Sequence, residues 1–161
     1  MHRLARINDA LERAEVLLCQ GLVIFLIFVV FLQVLARFVL KWGVLWTLEA
    51  SLLSFVWTVM LGSALGVRRG LHYTIDILPK DHPVARTFYY GGILVLALVF
   101  AVSGTVLAIS EWKRFSQPSM IRITFFVACI PVMGVTSVLF IVERILQDLS
   151  RRRQALKGTS T

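Results

Sequence analysis

Four stretches of this chain, at about residues 16–37, 47–67, 87–110 and 122–143, are apolar through their centres and keep charge to their rims. That pattern constrains the fold more than anything else in the sequence. A membrane crossing takes about 20 apolar residues at about 1.5 Å of rise each. Helices are the elements that satisfy their own backbone in lipid, and the short alternating segments of a β-barrel are not seen. The chain therefore reads as an all-α integral membrane protein with four transmembrane helices. Its 16% charged residues fall well below the roughly 25% of soluble domains. Residues 1–150 form one four-helix membrane domain, and 151–161 are expected to be a disordered basic tail. The first span reads as an uncleaved anchor, because its apolar core exceeds the roughly 7–15 residues of a signal peptide.

The net charge of +8 sets direction rather than nucleic-acid binding, since no interleaved basic and aromatic groove accompanies it. Arg3, Arg6, Arg13, Arg68, Arg69, Lys80, Arg86, Arg144, Arg151, Arg152, Arg153 and Lys157 fall on one side. Arg37, Lys41, Lys113, Arg114 and Arg122 fall on the other. The richer side is expected to be cytoplasmic, which places both termini there. Trp42, Trp46 and Trp112 then sit at the outer boundary. Arg68 and Arg69 end the second span and are expected to reach for headgroups. Beyond Gly70, Leu71, Ile75 and Leu78 share one helical face and His72 and Asp76 another. This suggests a short interfacial helix between spans two and three, ended by Pro79. Pro83 suits the first turn of the third span. Near the N-terminus Leu4, Ile7, Leu11 and Leu18 share a face, and Asp9 with Glu12 resembles a capping box.

Little in the chain points to chemistry. His2, His72 and His82 lie outside the spans, so axial haem ligation is not indicated. His72, Asp76 and His82 match no metal-ligand spacing. Cys19 and Cys129 sit in apolar runs as small packing residues. No phosphate loop or nucleophile elbow is present, so neither an enzyme nor a bound cofactor or metal is expected. The charges Glu15, Arg37, Glu49, Glu111 and Glu143 all lie near span ends, whereas a solute path normally leaves ionisable groups at mid-membrane. Arg37 and Glu49 flank the tight first hairpin. They either pair across it or each reach for headgroups. Ser51, Thr58, Gly62 and Gly66 lie in one arc of span two, and Ala97 and Ala101 are similarly spaced on span three. Both stripes are candidate packing or partner surfaces. Pro131 interrupts span four by leaving the carbonyl of Val127 without a helical partner.

Four pieces in order carry a resemblance. They are "QVLARF" (33–38), "WTLEASLLSFVW" (46–57), "LGSALGVRRGLHYTID" (61–76) and "QPSMIRITFFVACIPVMG" (117–134). Together they resemble the small membrane subunit of tripartite ATP-independent periplasmic (TRAP) transporters. Trp46 and Glu49 stand at the family's Trp and second acidic positions, and His72 with Asp76 at its His-x-x-x-Asp. Leu48 stands where the family often has a first acidic residue, so an acidic pair is not implied here. The resemblance implies a non-transporting subunit of the bacterial inner membrane. It would brace the scaffold of a large elevator-type permease in sodium-coupled uptake of an organic acid, which a periplasmic binding protein delivers. Membrane lipids are the remaining expected partners. From the residues alone two other readings stay open: a self-sufficient four-helix proton-coupled exporter, which needs a carboxylate in the bundle core, and a membrane assembly or sensor protein.

Overall fold

The computed structural model describes residues 2–39, 41, 45–70, 83–117 and 119–158, with side chains over 6–39, 41, 45–70, 88–117 and 119–147. Helix α1 is His2–Phe38, α2 is Leu45–Arg69 and α3 is Pro83–Ser110. A 3₁₀ turn at Glu111–Lys113, a short α4 at Thr124–Val127 and a long α5 at Cys129–Gly158 complete the chain. Four segments are long and apolar enough to cross a membrane: Arg6–Phe38, Leu45–Arg69, Phe88–Lys113 and Thr124–Gln147. The 37 residues of α1 measure about 55 Å, against about 30 Å of hydrocarbon, so α1 extends beyond the bilayer. Pro83 opens α3, where its missing N–H costs nothing. Gly70, at φ +70°, ends α2, and its N–H bonds to the carbonyl of Val67 at 3.3 Å. Helix α5 continues to Gly158, through most of the residues expected to form a disordered tail. Gln154, Ala155, Leu156 and Lys157 are good helix formers, and Gly158 closes the run. Trp42 and the interfacial helix expected at 71–78, with His72 and Asp76, lie outside the described residues.

The helices pack laterally in the order α1, α2, α5, α3, and α1 also meets α5 near Asn8. Helices α2 and α5 run parallel, with α1 and α3 antiparallel at the two edges. The N-terminal end of α1 and the C-terminal part of α5 thus lie at one end of the molecule. The core sits towards that end: Ala64, Val67, Met133, Phe140 and Ile141, joined by Leu11, Met60, Ile93 and Leu94. Only 11% of the apolar window is buried in the first and third spans, against 39% in the fourth. The edge helices therefore present Phe28 and Phe31 on α1, and Val95, Val102 and Val106 on α3, to whatever surrounds the protein.

Pro131 has no N–H to give Val127, and the fourth span divides at Ala128 into α4 and α5. In lipid each freed carbonyl needs a donor. The Trp57 indole donates to the carbonyl of Phe125 at 2.9 Å, and the Cys129 thiol to that of Phe126 at 3.2 Å. The break is also where α3 comes closest. A methyl group added at Gly104 would lie 2.8 Å from Cδ of Pro131, and one added at Gly134 would lie 2.7 Å from Cα of Ala101. Two glycines on opposing helices thus let the backbones of α3 and α5 touch.

Candidate functional site

At the end that carries the termini, polar side chains from three helices converge. Asn8, Asp9, Glu12 and Glu15 come from α1, Arg68 and Arg69 from the end of α2, and Glu143, Arg144 and Gln147 from α5. Arg68 is the hub. Its guanidinium donates to Asp9 Oδ1 at 2.6 Å, to Glu12 Oε2 at 3.2 Å and to Glu143 Oε2. Its carbon Cζ lies 5.6 Å from the centre of the Phe140 ring. Arg69 donates to the other oxygen of Glu12 at 3.2 Å. Asn8 Nδ2 donates to Glu143 Oε2 at 2.7 Å and to the carbonyl of Leu139 at 3.2 Å, and Gln147 Nε2 donates to Glu143 Oε1 at 2.8 Å. Arg144 donates to the carbonyl of Val67 at 3.2 Å, the same carbonyl that accepts from the Gly70 N–H. Its guanidinium packs against Gly70.

This arrangement corrects two expectations. Arg68 does not reach for headgroups. Its side chain is only 16% exposed, because three carboxylates hold it inside. Asp9 and Glu12 do not cap a helix, since α1 already begins at His2 and both lie within it; they bind the arginines of α2 instead. The apolar stripe of α1 divides, and Leu11 packs against the core. Ile7 and Leu18 are exposed, whereas Asn8 and Glu15 are buried. Helices in an apolar solvent gain little from burying leucine and much from pairing polar groups. Glu15 is 3% exposed, and among the described residues neither of its carboxylate oxygens has a hydrogen-bond donor, as is true of Asn8 Oδ1 as well. The nearby Thr136 hydroxyl donates to the carbonyl of Met133 at 3.2 Å.

The opposite end is organised by Glu49. This residue is buried, and it accepts from Ser116 Oγ at 2.7 Å, from the Ser119 N–H at 3.3 Å and from Ser119 Oγ. The segment it holds is a small hairpin between α3 and α4. There Phe115 pairs with Arg122, Ser116 N–H bonds to the carbonyl of Ile121 at 2.8 Å, and Met120 turns the chain at φ +57°. The Arg122 guanidinium stacks 4.7 Å from the Trp112 ring centre and 5.7 Å from that of Phe115. Among the described residues no ion pair joins Arg37 to Glu49. Arg37 is exposed at the end of α1 while Glu49 turns inward to the hairpin. Trp46 and Trp112 are both about half exposed at this end, 49% and 56%.

The small-residue positions divide. Ala97 is buried and Ala101 meets Gly134, so the stripe on α3 lies in the α3–α5 seam. Gly62 is exposed, and among the described residues nothing outside its own helix lies within 4 Å of an added methyl. Its stripe of α2, with Leu52, Phe55 and Val59, faces outward. Gly66 and Ser51 are half-buried, and Ser51 and Thr58 return their hydroxyls to their own helix, to Leu48 and Ser54. Among the described residues no group of three or more His, Cys, Asp or Glu side chains is placed to hold a metal. Sequence reasoning missed Asn8, Trp57, Gly104 and Gly134. A lone Trp indole within a span, and glycines on two successive spans, are the signals that point to the last three.

The geometry describes a polar-tipped block of apolar helices, and two comparisons agree on what such a block is. The sequence profile of the DctQ component of tripartite ATP-independent periplasmic transporters matches residues 26–151. The C4-dicarboxylate TRAP transporter small permease protein DctQ of Vibrio cholerae is 27% identical over 112 residues, which cover 69% of this chain and 46% of that protein. The chain thus spans about half the length of the curated relative it matches. It is a multi-pass membrane protein and belongs to the DctQ, or small permease, family of TRAP transporter components.

Proposed function

We propose that this chain is a non-transporting subunit that braces the static scaffold of a large elevator-type permease. In this reading it sits in the bacterial inner membrane with both termini cytoplasmic. The large permease carries an organic acid with sodium, and a soluble periplasmic protein delivers that acid to the outer face. The observation that carries the proposal is the distribution of charge. The ionic groups gather at the two ends, around Arg68 and around Glu49, and the stretch between them carries no charged side chain among the described residues. A helix block of that kind has little with which to bind an anion or a sodium ion, and its wide exposed apolar faces suit lipid and a second membrane protein. The direct test is affinity purification of the tagged chain in mild detergent. A much larger permease should co-purify in fixed ratio, and its absence counts against the reading.

One observation favours the self-sufficient exporter: Glu15 is a buried carboxylate without a donor. The exporter reading requires Glu15→Gln to abolish a transport activity of this chain by itself. The brace reading requires that no such activity exist.

A further inference from the structure

Between α1 and α2, at the end that carries the termini, lies a crevice of about 550 Å³ lined by Asp9, Glu12, Arg13, Val16, Leu17 and Arg69. Its chemistry changes from top to bottom. Residues 9, 13, 16 and 17 follow one face of α1 at helical spacing, so within a single turn the lining passes from guanidinium to hydrocarbon. Both carboxylates are paired: Asp9 through Oδ1 with Arg68, and Glu12 with Arg68 on one oxygen and Arg69 on the other. Arg13 is exposed and makes no ion pair among the described residues. Arg69 meets Glu12 through Nε and is half exposed. Two arginines therefore border an apolar slot at the level where the first apolar run begins. Arginine suits a phosphodiester better than lysine does, because its planar donors match two phosphate oxygens.

We propose that this crevice is a binding site for one anionic phospholipid, with its phosphate against Arg13 and Arg69 and an acyl chain over Val16 and Leu17. The lipid completes the α1–α2 joint beside the Arg68 network.

The test is native mass spectrometry of the full-length chain in detergent, titrated with phosphatidylglycerol or phosphatidylcholine. One phosphatidylglycerol should be retained in preference to phosphatidylcholine. Arg13→Gln and Arg69→Gln should each weaken retention about fivefold, the effect of one basic residue at an anionic surface. Arg6→Gln, an exposed cation of α1 outside the crevice, should leave it unchanged. Arg13→Gln keeps the test decisive if Arg69→Gln disturbs the fold, because Arg13 joins no ion pair among the described residues. Equal retention of the two lipids overturns the proposal. An equal loss with Arg6→Gln does so too, since it would mean diffuse charge attraction. Displacement by excess inorganic phosphate also overturns it, in favour of a free-anion site.

Discussion

Arg68 answers three carboxylates from two other helices, and one of them, Glu143, is 4% exposed. Removing the guanidinium leaves Glu143 buried without its cation. Arg68→Met is therefore expected to cost about 3–5 kcal/mol of stability, the range for breaking a buried pair. Arg69→Met, at a half-exposed pair, should cost at most about 1 kcal/mol. Thermal unfolding of the two variants in the same detergent compares them, and equal losses would show that Arg68 is not the hub. At the other end, Glu49→Ala should free the hairpin at 114–123 and raise amide exchange at Ser119, whose N–H it now accepts. Arg37→Ala should leave that exchange unchanged, because Arg37 does not meet Glu49. The sequence marked Arg68 and Glu49 as notable but did not supply their neighbours. Arg68 lies 56 to 75 residues from its carboxylates and Glu49 67 to 70 from its serines. No local spacing links groups so far apart. Pairing of Arg37 with Glu49 is one of two readings the residues leave open, and it rests only on a short hairpin that brings them near in sequence.

The elements themselves were far more legible. Long apolar runs between charged rims permit little besides crossing helices, and the division of the fourth span near Pro131 follows from one missing N–H. What the runs do not encode is which helix meets which. Stripes of small residues on α2 and α3 look alike in sequence, yet Ala97 and Ala101 face α5 while Gly62 faces outward. The difference comes from Gly134 and Gly104, which let α3 and α5 approach to backbone contact. Gly134→Leu should accordingly drive these helices apart and lower the thermal midpoint of the isolated chain, with a cost above the roughly 1–3 kcal/mol of ordinary overpacking. Gly62→Leu meets empty space and should leave that midpoint unchanged. If the exposed stripe of α2 is where the large permease packs, Gly62→Leu should instead reduce co-purification. Loss of stability in Gly62→Leu, or none in Gly134→Leu, would contradict this assignment of faces.

As a whole the molecule is a row of four spans with two polar ends. The N-terminal end of α1 and the C-terminal part of α5 lie at one end, and its most exposed helices, α1 and α3, form the edges. Such a shape is stiffened where the ion pairs and the Glu49 hairpin tie neighbouring helices, and it is featureless between them. That is the physical case for a brace. The most direct test is solute uptake in proteoliposomes that contain this chain alone, the large permease alone, or both, with the binding protein supplied outside. The account predicts no movement of solute with this chain alone and full uptake only when both membrane subunits are present. Uptake or efflux by this chain alone, abolished by Glu15→Gln, would contradict it.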